Sequence, residues 1–158
     1  MKTLKYSRIT KTGKLIEFTY SECDKDLVEK HTWYMHNTRK YIFTYIKSGN
    51  KRRNTKLHRL IMNTPDDKVT DHIDGNPLNN TRENLRICEQ GQNCMNVGNL
   101  KNNTSGYKGV SKTANGKWRA YISLHRKQIH LGNHNDIKDA IKARQEAEEK
   151  YFSEFRRK

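Results

Sequence analysis

The chain has 158 residues, 32% of them hydrophobic, and its 32 Lys and Arg against 17 Asp and Glu leave a formal charge of +15. The excess is spread through the sequence, with 18 basic against 11 acidic residues in 1–100 and 14 against 6 in 101–158, which suits a polyanionic partner better than a small substrate. No apolar run is long enough to span a bilayer and the opening MKTLKYSRITKTGK has no secretion-type apolar segment, so no membrane association and a cytoplasmic location are expected.

In chain order, KLIEFTY, RKYIFTYIKS and NTKLHRLIM alternate or cluster apolar positions as strands do, with SGN at 48–50 as a hairpin turn. Between the first two, DKDLVEKHTWYM predicts a short helix with Asp24 as N-cap and Trp33 as a core anchor. NTPDD is turn chemistry before the strand KVTDHI. An asparagine-rich loop follows, then the strand NLRIC and a polar helix from about Glu89 to Val97. GNLKNNTSG offers almost nothing to bury and reads as a linker. After it YKGVSK, KWRAYISL and KQIHLG predict three strands broken by ANGK and HRK. DIKDAIKARQEAEEKYFSEF predicts a helix capped by Asp136, with Ile137, Ala140, Ile141, Arg144, Ala147 and Tyr151 on one face. The expected class is α+β. Cys23, Cys88 and Cys94 form no C-x-x-C pair, which disfavours a zinc knuckle and fits a reducing compartment.

Chemistry concentrates at residues 71–93. Asp71 and His72 adjoin at a strand end, so their side chains point to opposite faces. One can then hold a metal while the other takes a proton from water beside it. The Asp71 carboxylate and the Asn93 side-chain carbonyl are hard oxygen donors suited to Mg²⁺ or Mn²⁺. His72 titrates near neutrality and suits a general base, and the Asn84 amide can hold the imidazole or the loop. A calcium-loop reading of DHIDGN is poor, because the alternating acids are missing and Arg82 stands where the closing glutamate belongs. Arg59, Arg82 and Arg86 flank the site as candidate phosphate clamps. His58 reads as a structural histidine.

LHRLIM and TDHIDGNPLNNTRENLRICEQGQN resemble the HNH nucleases, in the asparagine-ending variant of phage and intron homing endonucleases. The resemblance runs through Asp71–His72, Asn84–Leu85 and Asn93, at offsets of 13 and 9. It implies a ββα-metal core at about 57–98 within a nuclease domain at 1–98, and one divalent ion per active site held by Asp71 and Asn93. It also implies that His72 activates water and that Asn84 positions His72. After a linker at 99–104, residues 105–158 resemble the Apetala-two DNA-binding domain, through SGYKGV, KWRAYI, HLG and the alanine-rich helix. That implies a three-stranded antiparallel sheet lying in the major groove with one helix behind it. Lys108, Ser111, Tyr121, Ser123, Gln128 and His130 would face DNA, and Lys112, Lys117 and Arg119 would reach phosphates. Val110, Trp118, Ala120, Ile122 and Leu131 would pack inside. The arginines and tryptophans that the plant domains place on the DNA face are largely missing here.

Together these imply a metal-dependent endonuclease on double-stranded DNA, acting in a bacterial or phage-infected cell, with a monomer favoured. The rival expectation is a non-catalytic DNA-binding regulator with a vestigial HNH motif. An RNA-directed nuclease is disfavoured by the second module.

Overall fold

The structure is a computed structural model and describes residues 2–95, 103, 105–124 and 127–152. The chain divides into two compact units, Met1–Gln90 and Gly91–Lys158, and combines several small sheets with few helices in an α+β arrangement.

In the first unit, β1 (Thr3–Ile9) and β2 (Leu15–Ser21) form an antiparallel hairpin. Alternation in β2 turns Ile16, Phe18 and Tyr20 inward, all at most 5% exposed. A short 3₁₀ turn and α1 (Lys25–Glu29) lead to Trp33, which is fully buried and donates its indole N–H to the Val28 carbonyl at 2.8 Å. Strands β3 (Tyr34–Met35), β4 (Ile42–Ser48) and β5 (Lys51–Lys56) form a second antiparallel sheet. The chain then turns into α2 (Leu57–Met62), which ends at Asn63 in the left-handed conformation, φ 46°. Leu57 and Ile61 on α2 close the core over Ile16, Phe18, Trp33 and Ile42. Removing a buried ring such as Trp33 from a core of this kind costs about 3–5 kcal/mol.

The last strands of this unit carry the site. β6 (Val69–His72) pairs antiparallel with β8 (Leu85–Cys88), setting Asp71 opposite Arg86 and His72 opposite Leu85. Between them β7 (Asn79–Asn80) adds to the edge of β2 in parallel, with Tyr20 opposite Asn80. α3 (Gln90–Met95) begins at the last residue of this unit and runs into the second.

In the second unit, β9 (Val110–Lys112), β10 (Trp118–Leu124) and β11 (Lys127–His134) form an antiparallel sheet in the order β11-β10-β9. Its inner face, with Val110, Ala120 and Ile122 buried, packs on α4 (Ile137–Phe152). Asp136 caps α4 by accepting from the Lys138 N–H at 2.7 Å, as its type and place predict.

Three expectations are corrected, and one strand, β1, was not foreseen. LHRLIM is helix α2, and only the NTK before it belongs to a strand; six apolar-rich residues are too few to separate the two periods. β1 escaped prediction because its alternate positions are only half-buried. Asp24 makes no side-chain cap, because its carboxylate is taken by Arg82. Tyr151 is 38% exposed, and Phe152 fills the place expected of it, beside Ile122 and under the Arg144 guanidinium. The expected end of the polar helix at 96–97, most of the 98–106 linker, the HRK turn at 125–126 and the last turn of the final helix lie outside the described residues.

Candidate active site

Asp71 and His72 are both buried, at 6% and 5% exposure, and face different neighbours as strand alternation requires. Asp71 Oδ2 accepts from Arg86 Nε at 3.0 Å and Nη2 at 2.8 Å, a cross-strand charge pair that offsets the cost of burying the carboxylate. His72 stands in an aromatic niche. Its ring centroid lies 4.9 Å from that of His58, edge to face, and 6.1 Å from that of Tyr41.

The imidazole is oriented by Asn80, a residue absent from the sequence-based site. His72 Nε2–H donates to Asn80 Oδ1 at 3.2 Å, and Asn80 Nδ2 donates to the Pro77 carbonyl at 3.2 Å, which fixes the amide's orientation. An amide oxygen only accepts, so Nε2 carries the proton and the basic lone pair is on Nδ1. Asn80 itself is 1% exposed and held in place by the β2–β7 pairing. Burial pushes the His72 pKa below the usual histidine range, and it outweighs the Asn80 hydrogen bond and the charges of Asp74 and Asp71, which pull upward. A neutral imidazole at neutral pH is the form a general base needs.

The HNH resemblance implied that Asn84 positions His72, whereas its side chain is bonded to the loop and Asn80 meets the imidazole. Asn84 Oδ1 accepts from the Asp74 N–H at 3.0 Å, and its Nδ2 donates to Asp74 Oδ1 and to the Asn79 carbonyl at 2.9 and 2.8 Å. Asp74 also accepts from the Asn76 N–H and from Asn79 Nδ2. Burial raises the Asp74 pKa, but these hydrogen bonds outweigh it and leave the pKa below the ordinary aspartate value. Gly75 makes the turn at φ 72°, its N–H donating to the His72 carbonyl at 2.8 Å. The run of asparagines is thus a scaffold of side-chain to backbone bonds around His72.

The three flanking arginines are committed internally. Arg59 donates to the carbonyls of Lys68, Thr64 and Pro65, tying down the approach to β6. Arg82 pairs with the buried Asp24 at 2.7 Å, and Arg86 with Asp71. His58 is 3% exposed with Nδ1 unpartnered; burial, then the neighbouring His72, Lys56 and Arg59, lower its pKa to about 3. Asn93 lies on α3, half-buried. Among the described residues no three His, Cys, Asp or Glu side chains gather as a metal cluster.

In the second unit the strand pairing sets Arg119 opposite Ser111, Tyr121 opposite His130 and Ser123 opposite Gln128, all on the face away from α4. The Arg119 guanidinium lies 5.4 Å from the Tyr121 ring centroid. Lys112 and Lys117 are exposed and Lys108 is half-buried.

The chain is 44% identical over 59 residues to Protein 3.8 of Escherichia phage T7, covering 37% of this chain and 49% of that protein. It is 33% identical over 108 residues to a protein of Acanthamoeba polyphaga mimivirus named an uncharacterized HNH endonuclease, covering 66% of this chain and 54% of the other. The chain therefore spans about half the length of the curated relatives it matches. No family model and no solved structure matches it. No helix among the described residues is long and apolar enough to cross a membrane.

Proposed function

We propose that this chain is a divalent-metal-dependent DNA endonuclease of the HNH type, hydrolysing phosphodiester bonds of double-stranded DNA in a phage-infected bacterial cell. The observation that carries the reading is the buried Asp71–His72 pair, with the imidazole held through Nε2 by the side-chain oxygen of Asn80. The similarity to a viral protein named as an HNH endonuclease and the +15 charge support it.

In this reading His72 Nδ1 takes the proton of the attacking water, while Asn80 keeps the ring from turning and Asn84 keeps the loop in register. Asp71 and Asn93 would hold one Mg²⁺ or Mn²⁺. The donor chemistry fits such an ion: a carboxylate and an amide carbonyl are both hard oxygens, and two protein ligands leave positions for water and phosphate oxygens. When bound, the ion supplies charge stabilisation at the phosphate and the leaving oxygen. Arg86 balances the charge of Asp71.

The domain assignment belongs to the same proposal: a nuclease domain at 1–98 with a ββα-metal core, a linker at 99–104, and an Apetala-two-like DNA-binding domain at 105–158. The latter would present Lys108, Ser111, Tyr121, Ser123, Gln128 and His130 to the groove, with Lys112, Lys117 and Arg119 on phosphates. It would raise the effective concentration of the nuclease on the same duplex. A monomer with one active site would nick first.

The test is cleavage of supercoiled plasmid with Mg²⁺ or Mn²⁺. Nicked or linear product is expected with the wild type, and none with chelator or with His72→Ala, which still binds DNA. Unreduced cleavage by His72→Ala overturns the assignment, and binding without cleavage under every condition moves the protein to a DNA-binding regulator.

A further inference from the structure

The sheet β3–β4–β5 has a second face that the core does not use. Ile42 and Thr44 of β4 point inward, at 1% and 3% exposure, so Phe43, Tyr45 and Lys47 point outward. The register sets Tyr34 and Lys56 opposite Phe43, Asn54 opposite Tyr45 and Arg52 opposite Lys47, on that same outward face. Tyr34, Phe43 and Tyr45 form one continuous aromatic group with centroids 5.6–5.7 Å apart, Tyr34 and Phe43 nearly parallel at 27°. Tyr45 is 50% and Tyr34 39% exposed.

Cations surround the rings. The Arg8 guanidinium lies 5.8 Å from the Tyr34 centroid, and its buried Nε has no hydrogen-bond partner. Lys47, Arg52 and Lys56 share the face. Asp66 pairs with Arg53, whose place opposite Ile46 turns it to the other side. Solvent-open rings bordered by cations fit a partner with flat apolar faces joined by negative charge. Unpaired nucleotides are that chemistry; a duplex hides its base faces in the stack and offers only edges and backbone.

We propose that this face seats the unpaired bases of single-stranded DNA, stacking them on Tyr34 and Tyr45 while Arg8, Lys47, Arg52 and Lys56 take the phosphates. The face runs into the candidate active site. Lys56 Nζ lies 4.8 Å from the Tyr41 ring centroid, and that ring lies 5.4 Å from His58 and 6.1 Å from His72. A strand opened next to the cleavage position would be led by Lys56 toward His72. That use rests on the nuclease reading; the binding does not.

The test is fluorescence anisotropy of labelled oligo(dT) with the full chain in chelator, where no cleavage intervenes, against a duplex of equal length and oligo(rU). Tyr45→Ala and Tyr34→Ala should each weaken oligo(dT) binding by roughly tenfold, with duplex binding much less affected and Tyr45→Phe unchanged. Thermal unfolding reports that the variants are folded. Arg52→Gln, which loses no ring, should weaken oligo(dT) binding and flatten its salt dependence. Wild-type affinity in both tyrosine variants overturns the proposal, as does an equal loss on the duplex, and tighter binding of oligo(rU) overturns the assignment to DNA. If the nuclease reading fails, the wild type does not cleave with metal, yet the tyrosine effect on oligo(dT) persists.

Discussion

His72 owes its chemistry to a neighbour eight positions away. Asp71, His72 and Asn84 stand out in the sequence because acid, imidazole and amide at fixed offsets are unusual; Asn80 does not, because NPLNN reads as ordinary turn asparagines. Which amide meets the imidazole is decided by β7 joining β2 from some sixty residues upstream, and no local pattern carries that. Asn80→Ala should therefore act like a catalytic lesion, lowering kcat by about tenfold or more with little change in KM. It should cost about 2 kcal/mol of stability through the unmet buried donor; single-turnover kinetics and urea unfolding read the two effects. His58 lies buried against His72, and its burial makes a pH signature. With the folded pKa near 3 against about 6.5 in the unfolded chain, its contribution is fully present above pH 6.5. It is lost as pH falls toward 3, by up to about 1.4 kcal/mol per pH unit. His72 shifts in the same direction. Denaturant unfolding at pH 7.5, 5.5 and 4.5 should show this decline, and His58→Leu should flatten it; an unchanged slope in the variant would locate the acid sensitivity elsewhere.

At the level of elements, alternation was readable wherever one strand face is sealed and the other open. β2 buries Ile16, Phe18 and Tyr20, β4 Ile42 and Thr44, and β10 Ala120 and Ile122, and each of these strands was visible in the sequence. It failed where that contrast is weak, as in the half-buried β1, and where a run is short, as in α2, whose identity rests on Leu57 and Ile61 meeting one core from successive turns. The second unit shows another kind of constraint. Gly109 sits at φ 77°, its carbonyl accepts from the Tyr121 N–H at 2.8 Å, and a Cβ there would collide with the Tyr121 carbonyl oxygen and press on Arg144. That carbonyl is also where the buried Arg144 donates, at 2.9 Å, while Glu148 balances its charge at 2.9 Å. One residue thus holds the sheet against α4 through a polar contact that a hydrophobic pattern cannot reveal. Gly109→Ala should cost about 3 kcal/mol, from the left-handed penalty and the forced shift together. Calorimetry would read it as a lowered Tm; wild-type stability would mean that the loop relaxes freely.

For the molecule as a whole, charge is the property that the sequence states most plainly and that the fold then distributes. In residues 1–90, Arg82 and Arg86 are paired with the buried Asp24 and Asp71, and Arg53 and Lys68 with the exposed Asp66 and Glu89, so those four cations are poor counters of phosphate contacts. In the second unit Lys112, Lys117 and Arg119 are exposed, and none of them is joined to a carboxylate among the described residues. If those three touch phosphates, each should release counterions on binding, and the logarithm of affinity should fall with the logarithm of salt by about 0.9 per contact. Replacing all three with glutamine should lower that slope by roughly 2 to 3 while weakening every duplex alike. Replacing Ser123 and Gln128 should leave the slope intact and alter only which sequences are preferred. The comparison separates charge that grips the backbone from side chains that meet base edges. An unaltered slope in the triple variant would mean that these three cations do not grip the duplex backbone.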